Sequence, residues 1–407
     1  MKKLLPACSL LCAALFAQEH NASLQGYLSE LKEEQFALEQ RRIDAQSSSL
    51  RDSWIQPIRL RYSYTKSDPY GSDQTAKNAA ITIDQPIFKS GGIYYGIKYA
   101  EASRSNAGDT LEQQRRALIR EAVSLLMQIR QSDLRIAKQE LVIANAAINL
   151  EQKRELYLNG QIDSGFLNSA MIEANVATQA LFDMQTAKER LVSRFHTLSD
   201  LDPGTAPIPT LSLVEEEPFL TRNIDLRRME SEAEMQRYGE SVAYAKYLPQ
   251  LNLVAGYNRD ESEGMVLGGS FALPDTKTEY YNYGLKLTMP LDINSISDVE
   301  AARVARLKSQ ILLDDTKREQ RALYEQVSQN LKNYDRKIAL AVSNRELYGE
   351  LLRETQELHA AGYKTEFDVQ NLENSVSIQE LDTRIFELEK QRELLNLYEK
   401  IAPVPAP

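Results

Sequence analysis

Tyr281-Asn-Tyr-Gly-Leu-Lys-Leu-Thr-Met-Pro290-Leu291 is the stretch that decides the fold. Tyr281, Tyr283, Leu285, Leu287 and Met289 are apolar, and Asn282, Gly284, Lys286 and Thr288 alternate with them. Successive side chains of a β-strand point to opposite faces, so this run is a strand with one apolar and one polar face. Pro290 closes it, because proline has no N–H to give to a ladder. Three further stretches read alike. Leu251, Leu253, Ala255 and Tyr257 oppose Asn252, Val254, Gly256 and Asn258 just after Pro249. Ile58, Leu60, Tyr62 and Tyr64 oppose Arg59, Arg61, Ser63 and Thr65 just after Pro57. Ala80-Ile-Thr-Ile-Asp-Gln-Pro86-Ile-Phe88 completes the set and runs into Lys89-Ser-Gly-Gly92.

Alternation over roughly ten residues suits a transmembrane barrel strand, apolar toward lipid and polar toward the lumen. A half-buried sheet in a soluble domain alternates as well. The tyrosines favour the barrel: Tyr62, Tyr64, Tyr70, Tyr257, Tyr280, Tyr281 and Tyr283 lie on or near the strands, and aromatic girdles mark membrane interfaces. Loops rich in Gly, Asp and Ser, such as Asp68-Pro-Tyr-Gly-Ser-Asp73, join each pair and are expected outside the cell. Four strands cannot seal themselves in lipid, where every unsatisfied edge group costs several kcal/mol. Sister copies must complete the barrel, three of them for twelve strands or two for eight, and the pattern alone does not choose.

Between the strand pairs the period changes from two to seven. From about Lys98 to Leu158 and from about Ser297 to Ala360, only Gly108 and Gly349 interrupt helix-forming sequence. At ~1.5 Å per residue each run spans roughly 90 Å, a length that belongs to coiled coils. Ile129, Ile136, Ile143 and Leu150 form one heptad seam, and Leu134, Leu141 and Ile148 a second. Two seams predict a helix with neighbours on both sides. Leu181, Met184, Leu191, Phe195 and Leu198 continue the spacing after one break, with Lys188 intruding; Ile378, Leu381, Ile385, Leu388 and Leu395 do so after the other, with Arg392 intruding. Charges on the remaining faces (Glu112, Arg115, Arg116, Arg120; Lys317, Arg318, Glu319) are expected to be solvated.

The two breaks are Asn159-Gly160 and Ala361-Gly362. Glycine supplies the left-handed residue that closes a helix, and Asp163 or Thr365, three residues on, caps the returning one. The landmarks recur in order. Pro57 to Pro249 is 192 residues, and Pro86 to Pro290 (204) and Gly160 to Gly362 (202) are lengthened by a longer loop between the strands of the second half. The chain therefore reads as a leader over 1–17, a first repeat over 18–205, a second over 206–400 and a tail over 401–407.

Met1-Lys2-Lys3 followed by the apolar run Leu4 to Phe16 and Ala17 has the form of a secretory signal peptide, with cleavage expected after Ala17. Cys8 and Cys12 lie inside it, so the exported chain needs no disulfide. Without Lys2 and Lys3, 46 basic residues face 58 acidic ones, which disfavours nucleic acid as a partner. His20, His196 and His359 are isolated, and no phosphate loop, nucleophile elbow or cysteine cluster occurs. Neither an enzyme nor a cofactor is expected.

Helix, strand pair and long helical hairpin, repeated twice behind a leader, resemble the TolC family of outer-membrane efflux proteins. Leu248-Pro249-Gln-Leu-Asn-Leu is similar to the family's strand entry; Gln85-Pro86-Ile-Phe-Lys-Ser-Gly-Gly92 and Met289-Pro290-Leu291 are similar to its strand exits. Gly160-Gln-Ile-Asp163-Ser-Gly-Phe-Leu167 and Gly362-Tyr-Lys-Thr365-Glu-Phe-Asp368-Val369 resemble its hairpin tips. The resemblance implies a fold that is mainly α with transmembrane β: a trimeric twelve-stranded barrel continuous with a long α-helical coiled-coil barrel. It implies an exit duct of a tripartite efflux pump or type I secretion system, partnered by a periplasmic adaptor, an inner-membrane transporter and outer-membrane lipid. It further implies a gate at the tips. Asp368 matches a constricting aspartate ring, whose like charges at ~6 Å repel by roughly 3 kcal/mol per pair at an effective dielectric of ~20. Lys364 matches a basic lock residue and His359 replaces a gate tyrosine. Asn371 stands where a second acidic ring is usual, and Phe166 replaces an acidic partner, leaving Asp163 to serve Lys364. The contrasting reading is a coiled-coil adaptor or scaffold, periplasmic or at the cell surface, without a barrel.

Overall fold

The computed structural model describes residues 26–68, 74–263, 266–267, 271–272 and 275–402. The expected leader, Tyr70 and most of its loop, and the Gly268-Gly269 turn lie outside them. In chain order the elements are α1 (Glu30–Arg51), β1 (Arg59–Ser67), β2 (Gln74–Phe88), α2 (Gly92–Leu158), α3 (Ser164–His196), α4 (Glu216–Thr221), α5 (Ile224–Ala245), β3 (Gln250–Glu263), β4 (Val266–Leu267), β5 (Phe271–Ala272), β6 (Thr276–Thr288), α6 (Ser295–Ala360) and α7 (Glu366–Tyr398). The helices α2 and α6 have 67 and 66 residues. None of the helices is long and apolar enough to cross a membrane among the described residues.

Two compact units form, and each takes segments from both halves of the sequence. Among the described residues one comprises 26–37, 112–224 and 318–402, and the other lies within 38–111 and 225–317.

The first unit holds the hydrophobic core. Leu126, Met127, Val123, Phe195, Phe219, Val327 and Leu395 are fully buried there, contributed by α2, α3, α4, α6 and α7, with Tyr27 and Leu28 ahead of α1. Polar pairs record the order of the helices. α2 meets α3 through Asp133–Lys188 (2.5 Å) and Gln139 Nε2 to Ala177 O (2.8 Å). On its other side α2 meets α7 through Lys138–Asp382 (2.7 Å), Gln131–Glu389 (2.7 Å) and Asn145–Asn374 (2.8 Å). α7 then meets α6 through Lys390–Asp335 (2.6 Å) and Asn330–Glu393 (2.8 Å). The double seam on α2 is thus used on both sides. The intruders at seam positions find partners on α2: Lys188 bonds Asp133, and Arg392 donates to Gln131 at 3.5 Å.

The expectation that α2's charges are merely solvated is corrected. Arg115 forks onto Glu33 with bonds of 3.0 and 2.8 Å, Arg116 pairs with Glu112 at 2.9 Å, and Arg120 donates to Asn396 at 2.8 Å. A helix enclosed on two sides has little solvated face left, so its cations lie along the seams. On α6, Lys317 has only a loose contact to Asp314 (3.9 Å) and remains exposed as expected.

The second unit carries the sheet, ordered β1-β2-β3-β6 and antiparallel throughout. In the same unit charged pairs fasten the helices: Asp109 accepts from Arg227 (2.7 Å) and Ser231 (3.0 Å), Arg306 pairs with Glu240 (2.5 Å), and, at the surface, Arg104 with Asp44 (2.7 Å). At the elbow from β2 to α2 the chain turns through Ser90 (φ 47°) and Gly91 (φ 87°). Ser90 donates its hydroxyl to the carbonyl of Pro249 at 2.6 Å, tying this elbow to the start of β3.

Candidate functional site: sheet faces and hairpin tips

The register sorts the sheet into two faces. Leu60, Ile81, Tyr257 and Tyr281 lie in one row across the four strands, and Ile83, Ala255 and Tyr283 in the next. Leu253 and Leu285, then Leu251 and Leu287, extend the same face. Leu60, Tyr62, Tyr281, Tyr283, Leu285 and Leu287 are all exposed, Leu285 to 66%. Tyr280 departs from the girdle expectation: it pairs with Asn258 and so belongs to the polar face.

The strands are longer than hydropathy predicts. β3 and β6 continue through much of the stretch expected as a loop between Asn258 and Lys277. Their outer rows are charged but mutually paired: Arg259 bonds Glu261 and lies 3.5 Å from Glu279, Lys277 is 3.4 Å from Glu279, and Lys77 bonds Glu263 at 3.1 Å. Alternation by hydrophobicity stops there while backbone pairing goes on. The prolines also sort differently from a simple rule. Pro57 precedes β1, Pro249 immediately precedes β3 and Pro290 follows β6, but Pro86 lies inside β2. Pairing survives it through a bulge, Phe88 resuming opposite Leu251, because one missing donor is accommodated by one skipped residue.

Both tips close alike. Gly160 (φ 71°) donates to Tyr157 O and Gln161 to Leu156 O; Gly362 (φ 80°) donates to His359 O and Tyr363 to Leu358 O, all at 2.9 Å. This doubled bond is the Schellman closure that requires a left-handed residue. Asp163 then caps α3 by accepting from Gly165 N–H at 2.6 Å. Thr365 caps α7 in a reciprocal box: its hydroxyl accepts from Asp368 N–H (3.3 Å), while Asp368 Oδ2 accepts from Thr365 N–H (3.0 Å) and hydroxyl (2.9 Å).

The bonds from Thr365, backbone N–H first and then hydroxyl, hold the Asp368 carboxyl below its ordinary value of 3.8. A depressed folded-state value means the contribution is present above the ordinary value and fades as pH falls through the depressed one. Thr365→Ala is expected to cost about 1 kcal/mol of local stability, raising amide exchange over residues 366–369 about fivefold. Unchanged exchange at neutral pH would show that the box contributes nothing.

The remaining tip residues are placed as follows. His359 Nδ1 lies 2.9 Å from Lys364 O, and its Nε2 lies 3.2 Å from a carboxylate oxygen of Glu366. Lys364 makes no ion pair among the described residues, so Asp163 is not its partner within one chain. Asn371, one turn beyond Asp368, accepts from Ser375 through its backbone carbonyl (2.7 Å). Phe166 is exposed. Glu366 was not singled out from the sequence; an acid at the first position of α7, seven residues past His359, was the available signal.

The model of the family described as outer membrane efflux protein matches residues 218–401. The match spans α5 through α7, so this part of the chain is similar to the outer membrane efflux proteins. Solved structures agree on the fold. The outer membrane protein VceC of Vibrio cholerae is 15% identical with a TM-score of 0.67, over 90% of this chain and 92% of its own. The Campylobacter jejuni CmeC outer membrane channel is 11% identical with a TM-score of 0.69, over 92% and 83%. The Neisseria gonorrhoeae MtrE outer membrane channel, in its open state, is 14% identical with a TM-score of 0.60, over 94% and 86%. No curated protein sequence matches. The family named by that match is one of outer membrane proteins, and the solved structures share this chain's fold. The scaffold reading finds no support among these relatives.

Proposed function

We propose that three copies of this chain close a twelve-stranded barrel and act as the exit duct of a tripartite pump, joined to a periplasmic adaptor and an inner-membrane transporter. The observation that carries this is the sheet: both outer edges, β1 and β6, are unpaired among the described residues, and one face is apolar and exposed. In hydrocarbon such edges require partners, and β1 of one copy meeting β6 of the next supplies them. The outer helices tell the same story. α3 exposes Ile172, Val176 and Phe182, and α6 exposes Leu340 and Leu347, apolar faces suited to neighbouring copies. At the tips, exposed Phe166 and Tyr363 offer the adaptor an apolar contact.

The two runs of helix, strand pair and helical hairpin are, in this reading, duplicated halves, and the tips are the gate. Asp368 Oδ1 makes no hydrogen bond among the described residues, so three such oxygens related by symmetry are open to cations. The test is mass and conductance together: a detergent-solubilised trimer that opens channels in planar bilayers. Asp368→Ala should then raise the half-blocking concentration of hexamminecobalt(III) about tenfold. Monomers without conductance would sink the duct, and unchanged block would remove Asp368 from the gate.

A further inference from the structure

We propose that the polar face of the sheet, near the end where β2 runs into α2, is a belt that binds multivalent anions passing through the barrel. This rests on the channel reading above and adds a substrate class to it.

The register builds the belt. Arg59 shares a row with Thr82, Gly256 and Asn282, and Arg61 shares the next with Ala80, Asn258 and Tyr280. Toward the elbow come the rows of Asp84, Val254 and Gly284, then of Pro86, Asn252 and Lys286. Asp84 is the one carboxylate in these rows. It is already engaged, accepting from Asn252 Nδ2 at 2.6 Å and pairing with Lys286. Arg59, Arg61 and Lys89, which follows β2 directly, make no ion pair or side-chain hydrogen bond among the described residues. Arg59 and Lys89 both line a cavity of about 210 Å³ with Thr82, Asp84, Gln56 and Asn252.

The sign of this patch opposes the rest of the protein, whose net charge is −10. Asp84 lies in the field of both Lys286 and Arg59, so one carboxylate serves several cations on this face; the excess attracts counter-ions, and arginine binds planar oxyanions through paired N–H donors. Closure of the barrel multiplies the effect. The β1 edge carries Arg59 and Arg61, the β6 edge carries Lys286, and joining edges brings these strands into one seam. A monovalent anion meets such a ring as a weak site; a solute with several phosphate or carboxylate groups reaches more than one cation.

The test is block of single channels by tripolyphosphate added from the barrel side. The wild type is expected to be blocked, and Arg59→Gln combined with Arg61→Gln is expected to raise the half-blocking concentration at least about tenfold. Block by hexamminecobalt(III) should not change. Lys89→Gln, outside the strands, should show a smaller loss and serves if the double variant does not assemble. Equal block of wild type and variants overturns the belt alone. A wild-type trimer that conducts nothing overturns the channel reading and the belt with it.

Discussion

Leu285→Arg is expected to abolish accumulation of the folded protein in the outer membrane, while Asn282→Arg on the same strand is expected to be tolerated. Leu285 lies in the middle of the apolar rows, flanked by Tyr283 and Leu287 along β6 and by Leu253 across the pair. In a water-exposed sheet the change would be almost neutral, because the side chain is already 66% exposed. In lipid a cation near the midplane costs about 2–4 kcal/mol, and the proposed trimer would bear that cost three times. Asn282 faces the other way, beside Gly256 and Thr82, where water and polar groups accept a cation. Membrane fractionation with heat-modifiability on gels reads the outcome. Equal yields of the two variants would refute the assignment of faces, and with it the barrel.

Phe195→Ala is expected to cost about 3–5 kcal/mol, the range for emptying a filled aromatic site in a core. Phe195 has no exposed surface and packs in the cluster that α2, α3, α6 and α7 share. Its ring closes α3 where Thr197, Leu198 and Ser199 take up the last carbonyls, so the surroundings are poorly placed to collapse into the gap. Phe166→Ala at the exposed tip is the control, with an expected change within about 0.5 kcal/mol. Thermal unfolding followed by far-ultraviolet circular dichroism distinguishes them. Similar midpoints for both variants would show that the core described here does not hold the first unit together.

Period and punctuation carried most of the architecture. The alternation in Tyr281 to Met289 survives in the register because pairing places like faces together across β1, β2, β3 and β6. Gly160 and Gly362 were legible as tips because positive φ is a local demand that few residues meet. The true lengths of β3 and β6 were hidden, since Arg259, Glu261, Lys277 and Glu279 read as loop until their mutual pairing is seen. The seam charges Arg115 and Arg116 were hidden because Glu33, which pairs with Arg115, and the Tyr398 carbonyl, which accepts from Arg116, lie far away in sequence. Of the tip, Asp163 and Thr365 emerged as caps from their spacing to glycine, while the part of Asp368 in the capping box did not. The bond of His359 to the turn needed three dimensions, and so did the core, assembled from segments scattered between Tyr27 and Ile401.

In the proposed barrel, the paired ions at the outer rows of the sheet set how deeply the protein rides in its membrane. From Met289 to Tyr281 the apolar face covers about 26 Å of strand, or ~20 Å of height at the usual barrel tilt. Sinking further would drag Arg259, Lys277 and their carboxylates into hydrocarbon; rising would strip lipid from Leu287 and Leu251. Buoyancy is thus written into two adjacent rows of side chains, and any machine docking from below meets a duct already held at a fixed draught.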